Sequence, residues 1–424
     1  MSAASERARL RRDIGWNLMP VALLACVGLG LNFLIARWWD EAALGVFNLV
    51  TIALFTVAVL GAGGIQYSVL RAVAEAPDDR DRVAAIVVGA LVPNLVLAAA
   101  ATALYVALRR PIGAMLDSDA VATGMLWSAP ALFCFAVNKV LLGITNGLRR
   151  MRAFAIYTSL RYLLIGVGLV GARWWRLPGE QLPVIWTFTE GTLLLVLAGE
   201  LFSTVPLARG LAGWTSWTRR HLDYGARGVI ATLGYEINSK LDVWMLGVAL
   251  PDAQVGIYGL AAALYEGAMQ LPVVLQNNVN PVIARHLAAG ECAEVAALAR
   301  RIRRWFVPAM VGVCALGAAL YPLVIPWLVG KQSFVAGAVP FAILMVGLAA
   351  ASPYLPFAQA LLMGSRPGWH TGYLLGVVAV NLIGNLVLIP IFGLPGAAMS
   401  TATSMIASAL LLRGLVRWTL QLRI

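Results

Sequence analysis

The stretch LGYEINSKLDVWMLGVAL, residues 233–250, followed by PDAQVGIY, residues 251–258, decides the fold. An apolar segment carries Glu236, Lys240 and Asp242. A short turn follows at Pro251-Asp252-Ala253, and a second apolar segment holding Glu266 runs to Asn280-Pro281. Near a bilayer centre each ionised side chain costs roughly 2.5–3.5 kcal/mol, so such residues are functional candidates. The turn also has an echo, because DEAALGVF, residues 40–47, matches PDAQVGIY at an offset of 211. A weaker echo pairs Gly147-Leu148-Arg149 with Gly364-Ser365-Arg366. Each echo falls at the same place in a set of six apolar segments. Six plus six in the same orientation is a parallel repeat about an axis along the membrane normal, which predicts two lobes around a central cavity.

Composition agrees. The chain of 424 residues is 60% hydrophobic and 12% charged, with mean hydropathy +0.81, against about 45–50% and 25% in soluble domains. The reading is an all-α polytopic membrane protein. Strand barrels are excluded because the apolar residues run continuously instead of alternating. Twelve segments are long enough to span: 15–36, 43–70, 83–108, 120–146, 153–172, 182–207, 225–248, 253–284, 305–329, 335–363, 371–392 and 395–412. They define a basic N-terminal segment 1–14, a first lobe 15–207, a linker 208–224, a second lobe 225–412 and a tail 413–424. Arg11-Arg12 ahead of an apolar run and Cys26 imitate an export signal, but the run continues to Ala36 and reads as a first span.

The net charge of +12 points to membrane topology and not to nucleic acid. With the N-terminus inside, 22 of the 32 Lys and Arg residues fall in inside segments, six in outside loops and four within spans. Basic residues concentrate on the cytoplasmic side, so both termini are expected there. Cys26, Cys134, Cys292 and Cys314 show no paired spacing, and His221, His286 and His370 are expected in loops, so no metal site is anticipated.

Several stretches together resemble the Wzx-type polysaccharide flippases of the multidrug/oligosaccharidyl-lipid/polysaccharide exporter superfamily. They are Leu44-Gly45-Val46-Phe47-Asn48 with its copy Val255-Gly256-Ile257-Tyr258, and Pro281-Val282-Ile283 with Ala288-Ala289-Gly290-Glu291 and Arg300-Arg301. Gly330-Lys331-Gln332-Ser333-Phe334 and the run from Asn381 and Asn385 through Pro390 and Gly393 to Gly396-Ala397-Ala398 complete the set. The resemblance implies a bacterial inner-membrane transporter, not an enzyme. Its implied substrate is undecaprenyl-diphosphate-linked oligosaccharide, moved from the cytoplasmic to the periplasmic leaflet for O-antigen, capsule or exopolysaccharide synthesis. It further implies contact with membrane lipids, a polysaccharide polymerase and a chain-length regulator as partners, and coupling to H+ or Na+ with no other cofactor. The chain contains no GxxxxGK[ST] phosphate loop, which agrees with ion coupling.

Lys139 and Arg161 sit at similar depth on adjacent spans, and a diphosphate headgroup needs cations in a low-dielectric cavity. They are the candidate headgroup ligands, the alternative being that each pairs with a carboxylate such as Glu190. Glu236 and Lys240, four apart, share a helix face, whereas Asp242 lies about 200° round from Lys240 and faces elsewhere. Glu190, Glu236, Lys240, Asp242 and Glu266 are candidate ion-coupling or lumen charges. A carboxylate desolvated in a lumen gains proton affinity and can titrate as access alternates. Asn277 and Asn280 suit sugar hydroxyls, and amides equally join membrane helices. Glu200 and Arg227 lie near helix ends and are assigned no role. Gly143 and Gly147 form a GxxxG packing pattern, and 291–304 reads as a separate surface helix. Competing readings are a cation-coupled drug antiporter of the same superfamily, a major-facilitator transporter, and a membrane glycan polymerase or ligase. The first wants a carboxylate-dominated cavity, the second a long central loop and the third a large outside loop.

Overall fold

The computed structural model describes residues 27–422; the basic N-terminal segment, Cys26 and the first half of the 15–36 span lie outside them. The described chain is helical throughout, without strands, and divides into two compact units. Among the described residues, one comprises 27–31 and 38–240, the other 32–37 and 241–422. Helix α1 (Val27–Trp38) is divided between the units, residues 32–37 grouping with the second, and α2 (Glu41–Ala62) lies in the first. After them come α3 (Ile65–Glu75), α4 (Arg80–Met115), α5 (Asp119–Gly147), α6 (Met151–Trp174), α7 (Val184–Thr204) and α8 (Trp214–Ser239). The second unit holds α9 (Leu241–Ala249), α10 (Asp252–Ala288), α11 (Cys292–Val329), α12 (Ala338–Ala351), α13 (Ala360–Met363), α14 (Pro367–Phe392) and α15 (Leu394–Thr419).

Nine described helical stretches are long and apolar enough to cross a membrane. The expected seventh and eighth spans are not among them: the seventh is divided between a polar α8 and an α9 of nine residues, and α10 is not apolar enough. Other boundaries also move. The expected linker 208–224 is mostly helix, since α8 starts at Trp214, and most of the expected tail continues α15. Residues 292–304 are not a separate surface helix but the first turns of α11. Finally, 225–240 groups with the first compact unit instead of the second.

In the first unit α5 is the hub, packed against α2, α3, α4 and α7. Gly143 and Gly147 permit this: a Cβ on either would come within 2.9 Å of an α3 carbonyl, that of Gln66 or Leu70. The expected span 43–70 is broken at Gly63-Gly64, both in the left-handed region, φ 56° and 69°, where a side chain would be strained. The same turn lies against α8, since a Cβ on Gly64 would be 2.9 Å from the Gly225 Cα. In the second unit α15 packs on α12 and α14, and α10 on α11 and α12. Only 11% of the most apolar window of α14 is buried, against 67% for α2. A helix that is apolar all round and uncovered by protein meets hydrocarbon.

The repeat is written in the backbone. Asp40 caps α2, its carboxylate accepting the Ala43 N–H at 2.7 Å, and Pro251 holds the matching place before α10. The helix ends pair up as well, with left-handed residues at Asp117 and Gly330 after the third segments and at Arg149 and Ser365 after the fourth. The structural register thus pairs Arg149 with Ser365, one position away from the Gly147–Gly364 pairing suggested by sequence.

Candidate functional site

On α5, Phe135, Asn138 and Lys139 stand at i, i+3 and i+4 and so share one helix face. That face meets α6 and α7. Arg161 of α6 brings its Nε to 2.7 Å from Oε1 of Glu190 on α7, at an angle that makes no hydrogen bond. Its Nη2 donates to Glu190 Oε2 at 3.1 Å. Asn138 Nδ2 donates to the same Oε2 and to the Glu190 backbone carbonyl, both at 2.9 Å. Glu190 is fully buried and the Arg161 side chain only 15% exposed. A buried carboxylate is tolerable only when paired and hydrogen-bonded, and here one guanidinium and one amide do both.

Lys139 and Arg161 come together over one ring, the Lys139 Nζ 4.9 Å and the Arg161 Cζ 5.1 Å from the Phe135 centroid. The ring quadrupole attracts both cations, most strongly when water is excluded. Glu236 of α8, together with Glu190, lies within electrostatic range of Lys139. The structure therefore joins four of the sequence candidates, Lys139, Arg161, Glu190 and Glu236, in the first unit. Of the two sequence alternatives, the pairing with Glu190 is seen for Arg161. Sequence reading missed Asn138 and Phe135. The signal was present, because Asn138 precedes Lys139 in an otherwise apolar run.

Glu236 and Lys240 do not share a continuous helix. Helix α8 ends at Ser239, Lys240 is in a turn, and α9 begins at Leu241. The same-face argument therefore fails, as does the 200° separation of Lys240 from Asp242. Asn, Ser and Asp are residue types that compete with the helical ladder for backbone groups, and the sequence collects all three between 238 and 242. Asp242 turns one carboxylate oxygen to the Val243 N–H at 2.9 Å and accepts from the Tyr258 hydroxyl of α10 at 2.7 Å. Tyr258 is fully buried, whereas Glu266 and Asn277 lie on exposed faces of α10. Asn280 is buried and donates to Gln359 Oε1 at 2.7 Å, joining α10 to the segment before α13.

Two other readings change. Glu200 is not idle, since its carboxylate meets Arg150 at 2.5 Å. The three histidines lie in helices instead of loops, and His221 of α8 is fully buried. Its Nε2–H donates to the Ile86 carbonyl at 3.2 Å and its Nδ1 accepts from the Ser68 hydroxyl at 2.8 Å. This histidine holds α3, α4 and α8 together.

The profile of the family described as polysaccharide biosynthesis protein matches residues 10–286. The chain is 22% identical over 414 residues to a probable low-salt glycan biosynthesis flippase, Agl15, of Haloferax volcanii, with 94% of this chain and 82% of the relative covered. Among solved structures it is similar to the lipid II flippase MurJ in an inward closed conformation, with TM-score 0.75 and 12% identity, covering 95% of this chain and 87% of the other. It is also similar to an inward-facing multidrug resistance MATE family transporter of the MOP superfamily, with TM-score 0.74 and 15% identity, covering 96% and 98%. At these identities the two structures speak for the fold alone.

Proposed function

Because the chain belongs to the polysaccharide biosynthesis protein family, we propose that it flips undecaprenyl-diphosphate-linked oligosaccharide from the cytoplasmic to the periplasmic leaflet of a bacterial inner membrane. Both termini are cytoplasmic in this reading, which the distribution of Lys and Arg supports. The product feeds synthesis of a surface polysaccharide such as O-antigen, capsule or exopolysaccharide. The chain is a multi-pass membrane transporter and not an enzyme.

One observation carries the reading: two cations from different helices converge on the Phe135 ring deep in an apolar bundle. Arg161 is already neutralised by Glu190, so its role is to position the cluster and add positive potential. Lys139 is the residue that meets the diphosphate. Glu236 holds Lys139 when no substrate is bound, and the headgroup, carrying more charge, displaces it. Such an exchange keeps the ammonium neutralised in both states and lowers the cost of burying it. Asn277, on an exposed face of α10, and Asn280, which donates to Gln359, are the candidates for sugar hydroxyls. Glu236, Asp242 and Glu266 are the candidates for H+ or Na+ coupling.

The test is glycan export in cells carrying Lys139→Ala or Lys139→Arg, with protein levels matched. A hydrogen bond to a charged group contributes about 1.5–3 kcal/mol, so export falls roughly tenfold or more in Lys139→Ala and partly recovers in Lys139→Arg. Lipid-linked repeat units then accumulate on the cytoplasmic leaflet. Unimpaired export in Lys139→Ala overturns the assignment.

A further inference from the structure

Where α6 ends and α7 begins, the first unit holds an apolar groove of about 330 Å3. Trp127 of α5, Gly168, Gly171 and Trp175 at the end of α6, and Ile185 and Phe188 of α7 form its walls. Two glycines one turn apart keep it open. A Cβ on Gly168 would sit 3.1 Å from Ile185 Cγ2 and 3.2 Å from Phe188 Cδ1, and one on Gly171 would sit 3.2 Å from the Trp175 ring. Leu177 forms the lip, and its carbonyl accepts the Trp39 indole N–H at 2.7 Å. Gln181 is the polar side chain in the lining. The walls therefore offer almost nothing to a polar ligand, and the groove suits a hydrocarbon chain.

The rim says what the chain is attached to. Trp174 and Trp175 are 83% and 75% exposed, and tryptophans at the end of a span mark the membrane–water interface. Arg173 and Arg176, both exposed, alternate with the lining residues Ala172, Trp175 and Leu177, and Glu180 is the acidic residue beside Gln181. An amphiphile whose tail enters the groove thus has two exposed arginines flanking the lining residues in sequence, and guanidinium favours phosphate. We propose that this groove binds one acyl chain of an anionic phospholipid, with the phosphate at Arg173 and Arg176. Gly168 stands seven residues beyond Arg161 on α6, about 10 Å along the helix. The lipid therefore packs on the helix that carries the buried arginine. The site stands apart from the flippase reading and survives its failure.

The experiment uses the full-length protein in nanodiscs of phosphatidylcholine with phosphatidylglycerol, released into the gas phase for native mass spectrometry. One phosphatidylglycerol remains per wild-type chain, in preference to phosphatidylcholine. Gly171→Phe fills the groove and lowers that retention at least fivefold. The double variant Arg173→Ala/Arg176→Ala abolishes the preference for phosphatidylglycerol over phosphatidylcholine. Both arginines are exposed, so this variant keeps the fold and decides the question even where Gly171→Phe lowers the yield of protein. Equal retention of the two lipids by wild type, a preference unchanged in the double arginine variant, or retention unchanged in folded Gly171→Phe overturns the proposal. Displacement of the retained lipid by equimolar undecaprenyl phosphate also overturns it, by giving the groove to a polyprenyl tail.

Discussion

The hairpins that open the two copies of the repeat, α1–α2 and α9–α10, have the same backbone plan and opposite chemistry. At the offset of 211, Leu31 corresponds to Asp242 and Phe47 to Tyr258. In the first unit both positions are buried hydrocarbon, and Phe47 stacks on Trp186 with centroids 6.0 Å apart. In the second unit the hydroxyl added to that ring donates to a carboxylate at 2.7 Å. The hairpin folds without the polar pair, so the pair is an addition made by one copy. The first unit places its own buried charge elsewhere, on α5, α6 and α7, where Arg161 meets Glu190. Each copy thus departs from the common apolar pattern at a different helix set.

The largest effect belongs to the first unit. Glu190→Ala leaves Arg161 buried without its counter-charge, which costs about 3–5 kcal/mol. The expected outcome is loss of folded protein, or a large fall in the thermal midpoint in detergent. Replacing both partners, Arg161→Met with Glu190→Leu, removes the uncompensated charge and recovers most of that loss. A single variant as stable as wild type would show that the pair is not a buried anchor, and the contrast between the units would collapse.

A smaller effect belongs to the second unit. Tyr258→Phe restores the ring found at Phe47 and removes a hydrogen bond to a charged group, worth about 1.5–3 kcal/mol. Adding Asp242→Leu completes the first-unit pattern and returns stability close to wild type, because no unsatisfied carboxylate remains. Transport by the double variant loses its dependence on pH or sodium if Asp242 is the coupling residue. Unchanged ion dependence, measured as glycan export across a pH and sodium series, moves the coupling to Glu236 or Glu266.

Much of this was legible in the chain itself. Continuous apolar runs located the helices, and the hairpin echo located the repeat, because both depend on local composition. The break at Gly63-Gly64 was also within reach, since adjacent glycines interrupt the run. Three features were not. Arg161 and Glu190 are 29 residues apart, and nothing in either segment says which faces of α6 and α7 meet. The end of α8 at Ser239 has neither glycine nor proline to mark it. His221 looked like a loop residue because its neighbourhood is polar, yet its pocket is built by Ser68 and Ile86 from two other helices. Local pattern carries the elements, and pairings between distant helices carry the site.

The smallest expected effect tests the repeat where both copies behave alike. Arg149 and Ser365 each end a fourth segment in the left-handed region, φ 56° and 57°. In each turn the next residue closes back on the helix, Arg150 N–H to the Thr145 carbonyl at 3.2 Å and Arg366 N–H to the Leu361 carbonyl at 2.8 Å. This is the usual helix-ending bond around a position that favours glycine. A side chain there costs about 1–2 kcal/mol, and glycine returns roughly 0.5–1 kcal/mol of that as unfolded-state entropy. Arg149→Gly and Ser365→Gly are therefore each expected to stabilise by about 0.5–1 kcal/mol, the difference between those two terms. Both side chains are exposed, so no packing is lost in either copy. Equal upward shifts of the thermal midpoint support one turn used twice in the register set by Arg149 and Ser365. A gain in one unit and a loss in the other would mean that the two fourth-helix turns are not equivalent, and would return the register to the glycine pairing.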